Sequence, residues 1–371
     1  MTDESAPGVK DGSRLTAGVL GRVLDLIPPA TGAEVMATAV VSIALSLDGQ
    51  ETLSRVILAM AGVTWVTLAM LVPLRAASDR ARFRADAATP AALTAAAATG
   101  VLGTRLTLLG WTWAGIAMLL IAFLLWAALL GPVLAGWNSP TVGVSLLLAV
   151  SAESIAVLAV ALSVPERARW LLIAALALLG LGLGLYVFVI LRFDLHQLAT
   201  GRGDHWITGG ALGLSALAAA NIASAPKALG IVGARGALKD VAIGLWILTM
   251  LWLVVLLFAE ARWPRLRYDV RRWSTVFPLG MYAASSFAVG AVAHTGAITS
   301  FARVWVWIAF ATWAIVVVAS IWRAVKVTHG RGSAAAGTPA RTADEPPPHL
   351  DQVLGDEEAP RVSLGVTRSA R

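Results

Sequence analysis

The sequence predicts an all-α polytopic membrane protein with ten transmembrane helices arranged as five helical hairpins. Three observations lead there. Hydrophobic residues make up 58% of the 371 positions and charged residues only 14%, against roughly 25% charge in an ordinary soluble chain. Mean hydropathy is +0.75, and the apolar residues fall into repeated runs of about the 20 residues that a helix needs to cross a bilayer. Arginines gather in alternate connections between those runs. A soluble enzyme, a nucleic-acid binder and a disordered scaffold do not fit this composition.

The net charge of +7 reads as membrane orientation and contact with anionic headgroups, because the arginines sit between apolar runs. Nucleic acid is not an expected partner. There are no cysteines, so disulfides, thiolate metal sites and cysteine nucleophiles are excluded. Met1 to Lys10 is polar and holds Asp3 and Glu4, so no cleaved leader is expected.

Three segments are expected: 1–27, a cytoplasmic lead-in; 28–325, a ten-helix transporter domain; and 326–371, a disordered cytoplasmic tail. Between Arg14 and Ile27, arginines alternate with Leu, Val and Ile at roughly helical spacing. That pattern fits a short helix on the membrane surface, or an untidy polar lead-in. The spans fall at about 30–48, 53–73, 90–109, 112–134, 143–163, 169–192, 207–223, 240–259, 274–294 and 302–323. Arg75, Arg80, Arg82 and Arg84 follow the second span, and Arg262, Arg265, Arg267, Arg271 and Arg272 follow the eighth. The positive-inside rule places both termini in the cytoplasm of a cell-membrane protein. Lys227, Arg235 and Lys239 lie on the opposite side as an exception. After Thr328 the chain turns to Gly, Ala, Pro and mixed charge, too poor in large apolar residues to build a core.

The spans alternate in character. Even-numbered spans are bulky, with Trp65, Trp126, Trp246, Trp252 and Trp313, and Trp111, Trp113, Trp170, Trp305, Trp307 and Trp322 flank them at interface depth. Odd-numbered spans are rich in Ala, Gly, Ser and Thr, as in Ala95 to Gly100 of the third. Small residues let helix backbones approach closely, whereas Leu and Trp suit lipid. Two layers follow: odd helices in an inner pore ring, even helices in an outer lipid-facing one.

Charge inside a bilayer costs several kcal/mol and marks candidate functional residues. Glu153 in the fifth span, Arg105 in the third and Glu34 in the first all lie on odd spans. In an anion pathway an ionised Glu153 repels the cargo. Either its carboxyl is neutral or exchanges a proton, or Arg105 pairs with it; a structural pair without a transport role is the third reading. The ninth span carries Pro278, which removes a backbone hydrogen bond, with Phe277 and Phe287 as its large side chains. A phenylalanine in a pore blocks it by bulk and by dewetting.

Trp273-Ser274-Thr275-Val276-Phe277-Pro278-Leu279-Gly280-Met281-Tyr282-Ala283 resembles the ninth-helix motif of the tellurite-resistance/dicarboxylate transporter family. That family includes bacterial TehA-type proteins, fungal malate and sulfite transporters, and plant slow anion channels. Gly203 to Leu212 is similar to the start of its seventh helix, and Pro28 to Ser42 is similar to its first, with Ala39 in place of a glycine. The resemblance implies five hairpins around a pore lined by odd helices, a ninth-helix phenylalanine that occludes it (here Phe277), and often a homotrimer with a pore per subunit. It implies small anions as cargo: C4-dicarboxylates, sulfite, chloride or nitrate, moved by a channel or a proton-coupled carrier. No catalytic residue, cofactor or metal is expected. The alternative is an integral-membrane enzyme acting on a lipid-linked substrate. Such chemistry calls for clustered Asp, Glu or His, and the five histidines (His196, His205, His294, His329, His349) are scattered.

Overall fold

The computed structural model describes residues 31–137, 141–225, 229, 232–264 and 269–336. The helices are α1 (Gly32–Leu47), α2 (Glu51–Ser78), α3 (Arg80–Ala87), α4 (Thr94–Leu108), α5 (Thr112–Ala135), α6 (Leu147–Ser163), α7 (Arg169–Ile190), α8 (Gln197–Thr200), α9 (Ile207–Ser224), α10 (Arg235–Arg262), α11 (Trp273–Ala293) and α12 (Gly296–Ala336). No strand occurs among the described residues beyond one isolated bridge between Thr141 and Phe193. Contacts divide the chain into a unit ending at Ile321, which holds all the packing below, and a second starting at Trp322.

Nine helices among the described residues are long and apolar enough to cross a membrane. Of the ten expected spans the exception is α1, an apolar helix of 16 residues. At about 1.5 Å per residue it reaches about 24 Å, short of the roughly 30 Å hydrocarbon thickness. The expected surface helix at 14–27 lies outside the described residues. At the other end, α12 continues to Ala336, past the expected start of the tail at 326, while 337–371 lies outside the described residues.

The alternation seen in composition is an alternation in burial. In the most apolar stretches of α2, α5, α7, α10 and α12, between 11% and 28% of residues are buried; in α4, α6, α9 and α11, with their lead-in turns, 72–89% are. Nearly all of α1 from Ala33 to Leu45 is buried too. α1 packs on α4, α4 on α6, α6 on α9, α9 on α11, and α11 on α1. Four of the five exposed helices each cover a junction: α2 lies on α1 and α4, α5 on α4 and α6, α7 on α6 and α9, α10 on α9 and α11. Short 3-10 turns lead into α4, α6, α9 and α11, and successive turns touch one another or the next buried helix. The buried helices therefore begin at one end and run parallel.

Four of the five junctions between buried helices are made at a glycine. A Cβ on Gly32 would stand 2.6 Å from Thr94 Oγ1; on Gly100, 3.0 Å from the Ser154 backbone; on Gly210, 2.8 Å from the Pro278 ring; on Gly280, 2.6 Å from Val40. No side chain fits there, so backbone meets neighbour directly. The fifth junction, α6 with α9, is a hydrogen bond: Ser215 Oγ to Glu153 Oε1 at 2.6 Å.

Four tryptophans of the exposed helices depart from a purely lipid-facing role. Trp65 donates its indole N–H to Thr99 (2.9 Å), Trp246 to Ser286 (2.8 Å), Trp313 to Thr38 (3.1 Å), and Trp252 to Thr208. Hydrocarbon offers the indole no acceptor, so the ring turns inward and clips the layers together. Trp305, expected at the interface, is buried, stacked on Phe301 and edge-on to Tyr282. Trp111, Trp113, Trp170 and Trp322 are exposed as a belt requires. Of the basic exceptions, Arg235 donates to the carbonyls of Ala223 and Ala225 at the end of α9, a C-terminal cap; Lys227 lies outside the described residues.

Gly210→Val is expected to lower stability by about 1–3 kcal/mol through overpacking, read as a fall in the thermal midpoint of the detergent-solubilised protein. Gly180→Ala on α7, where no atom stands within 4 Å of the new Cβ, is the control and should leave the midpoint unchanged.

Candidate functional site

α11 is the buried helix with the most specialised sequence. Pro278 lies in its interior, so the carbonyl four residues earlier, on Ser274, lacks its helical donor. The ring of Pro278 lies against Gly210 of α9, as does Met281 against Gly213. Gly280 meets Val40 and Val41 of α1. On the opposite side Tyr282 packs edge-on to Trp305, and Ser286 accepts from Trp246. At about 100° per residue, Phe277 falls between the direction of Met281 and that of Gly280, on the face away from α10 and α12. It is 0% exposed. Phe287, also buried, falls on the side of Gly280, toward α1.

Glu153 sits in the α6–α9 junction. It is 0% exposed, it accepts from Ser215, and its stem covers Gly182 of α7, where a Cβ would stand 2.7 Å from Oε1. Its other oxygen, Oε2, has no hydrogen-bond partner among the described residues.

Of the alternatives for Glu153, pairing with Arg105 does not occur. Arg105 belongs to the far end of α4, and its Nη2 donates to both carboxylate oxygens of Glu51 at 2.8 Å, with Nε on Ser54 Oγ at 3.1 Å. Arg105 is 1% exposed and Glu51 39%. The first turn of α2 thus delivers a half-exposed carboxylate to a buried guanidinium. Glu51 also takes Arg55 and Ser46, while Ser42 and Ser54 bond each other across α1 and α2. Glu51 escaped the sequence reading because it lies just outside an apolar run, where a charge needs no partner. Glu34 stands one turn before Thr38, which accepts from Trp313, so it shares the face toward α12.

At the end where the buried helices begin, a second cluster ties two of them, α9 and α11, to the exposed helix α10. Glu260, in the last turn of α10, accepts from Arg272 Nη1 (3.2 Å) and Trp206 Nε1 (3.4 Å), and stands 4.0 Å from the buried His205 Nε2. Asp269 pairs with Arg271 and Arg202. Burial pushes its carboxyl up, but the backbone and side-chain hydrogen bonds of Arg271 and the charges of Arg271 and Arg202 outweigh that and hold it below the ordinary carboxylate range. An acidic residue ending an apolar helix near an arginine run was the available signal for Glu260. No group of three or more His, Asp or Glu able to hold a metal occurs among the described residues.

The sequence profile of the SLAC1 family, described as voltage-dependent anion channel, matches residues 27–321. The chain belongs to this family. That bears out the resemblance carried by the seventh- and ninth-span motifs. Two Mycobacterium tuberculosis proteins, one from each of two strains and both described as uncharacterized membrane proteins, are 30% identical to the chain. The similarity runs over 143 residues, 35% of this chain and 72% of theirs. As a SLAC1-family member the protein is a multi-pass membrane protein of the anion channel and transporter class, a class of transporters and not of enzymes.

In this SLAC1-family chain the Arg105–Glu51 pair is a stability element with a clear sign. Glu51→Gln leaves a buried guanidinium without its counter-charge and should cost about 1–3 kcal/mol, between the values for exposed and for fully buried pairs because Glu51 is partly solvated. Thermal unfolding of Glu51→Gln, Arg105→Met and the double variant checks it: the double should lose less than the sum of the singles.

Proposed function

We propose that α1, α4, α6, α9 and α11 form an inner ring of a ten-span protein, α1 completing the set, and enclose an axial path for small anions that Phe277 closes. The observation that carries this reading is the closed order of packing, each buried helix on the next and α11 back on α1. Phe277 supports it by lying on the one face of α11 not directed at α9, α1 or the exposed helices. Its 0% exposure fits a path that is closed.

The cargo follows from the charge at the two ends. Parallel helices align their macrodipoles, each equivalent to about half a positive charge at its start. Five starts at one mouth, with Arg262, Arg271 and Arg272 beside them, draw in anions. Both termini are placed on that side, the cytoplasm of a cell-membrane protein, by the positive-inside rule. Arg105 is already engaged by Glu51, so no dense cage of cation side chains holds the ion; weak binding is what lets a conducted ion leave. Chloride, nitrate, sulfite and a C4-dicarboxylate such as malate are the proposed substrates. A homotrimer with one path per subunit is the proposed assembly, and the path lies within a single chain.

A proton-coupled reading is favoured by one further detail. Ser215 Oγ has a single proton and two partners, Glu153 Oε1 at 2.6 Å and the Ala211 carbonyl at 3.1 Å. If the hydroxyl donates to Ala211, the short contact needs a proton on Glu153. Glu153 then carries a transferable proton within the α6–α9 junction.

Liposomes loaded with each of the four anions separate these readings. Phe277→Ala is expected to raise flux several-fold, and an equal or lower flux from well-folded variant protein would remove Phe277 as the plug. Glu153→Gln keeps the hydrogen bond to Ser215 but has no titrating proton. Under proton coupling its flux should lose its dependence on pH, whereas a passive channel keeps the wild-type profile.

A further inference from the structure

A cavity lies away from the proposed path, on the membrane-facing side. It occupies about 440 Å³ between α2 and α5, with α4 and the start of α1 as its floor. Val35, Trp65, Leu68, Ala98, Leu125 and Leu129 line its length. One end is different: Arg75 and Asp86 form an ion pair there. Beside them the short helix α3 presents Arg80, Arg82 and Arg84, all exposed. From Arg75 to Asp86 there are four arginines (75, 80, 82, 84) against two aspartates (79, 86), a net +2.

An apolar slot with a basic rim at one end has the layout of a phospholipid with an anionic head. Bilayer hydrocarbon fills any such slot, and arginines at headgroup depth select for negative lipid. A second copy of this chain seated symmetrically would set α3 against α3, with like charge on both sides. We propose that this groove binds an anionic phospholipid of the arginine-side leaflet, one acyl chain lying along Trp65, Leu68 and Leu125 and the headgroup phosphate at α3. The seated chain touches Val35 of α1 and Ala98 of α4, so the lipid props the junction of two buried helices. The site needs membrane insertion alone; failure of the conduction reading leaves it intact.

The test uses the full chain in detergent, mixed with equimolar phosphatidylglycerol and phosphatidylcholine, with retained lipid counted by native mass spectrometry. Wild type should keep phosphatidylglycerol over phosphatidylcholine by about tenfold or more, as two or more arginines at the surface imply. The double variant Arg80→Gln/Arg84→Gln, altered only at exposed positions, should lose most of that preference. Ala69→Trp, which fills the slot from α2, should lower retention of both lipids. Equal retention of the two lipids by wild type, or retention unchanged in both variants, overturns the site. The chain has no cysteine, so Ala69→Cys supplies a single thiol. Rapid disulfide-linked dimers in that variant would place a second copy over the groove and overturn the lipid assignment; labelling by a lipid-soluble maleimide without dimers supports it.

Discussion

Close approach of helix backbones is the constraint on which the architecture rests. Inside a bilayer, apolar side chains gain nothing by leaving lipid for protein, so association depends on packing and hydrogen bonds. Helices that carry Gly32, Gly100, Gly210 and Gly280 at their crossings approach until backbone meets neighbour. Helices sheathed in Leu, Val and Trp cannot, and lipid is as good a solvent for them as protein. The layering is thus a sorting by side-chain size, and the hairpin connectivity makes it alternate along the chain.

Polar groups reinforce the same arrangement, because hydrocarbon offers them no partner. The tryptophans of α2, α10 and α12 reach inward to Thr99, Thr208, Ser286 and Thr38, tying the outer layer to the inner. Glu153 with Ser215 replaces a glycine contact at one junction, and Arg105 with Glu51 locks the far ends of α2 and α4. These groups are spent on joints between helices. What remains for the proposed path is apolar side chains, Phe277 among them, and the dipoles of parallel helices, a combination suited to brief occupancy by an anion.

Some features of this protein are set by local sequence and others by contact between distant segments. Span positions, the burial alternation and the special place of Pro278 were legible, since each depends on local composition or on one residue's covalent limits. The partner of Arg105 was not. Two charges on odd spans suggested a pair, yet Glu153 and Arg105 lie on different junctions, and the carboxylate that does the work starts an even span. The tryptophans misled in part, because the residue type fits lipid while its single N–H does not. Arg235 looked like a breach of orientation and is a helix cap.

By itself the sequence determined membrane insertion, the order of the spans and which of them are slender, since hydropathy and side-chain volume are properties of each segment alone. Only the tertiary structure decided which charges meet and that the buried helices close back from α11 onto α1. Those facts depend on rotation and depth of each helix against its neighbours. A shift of one residue turns a helix face by about 100°, and no segment read alone carries that information.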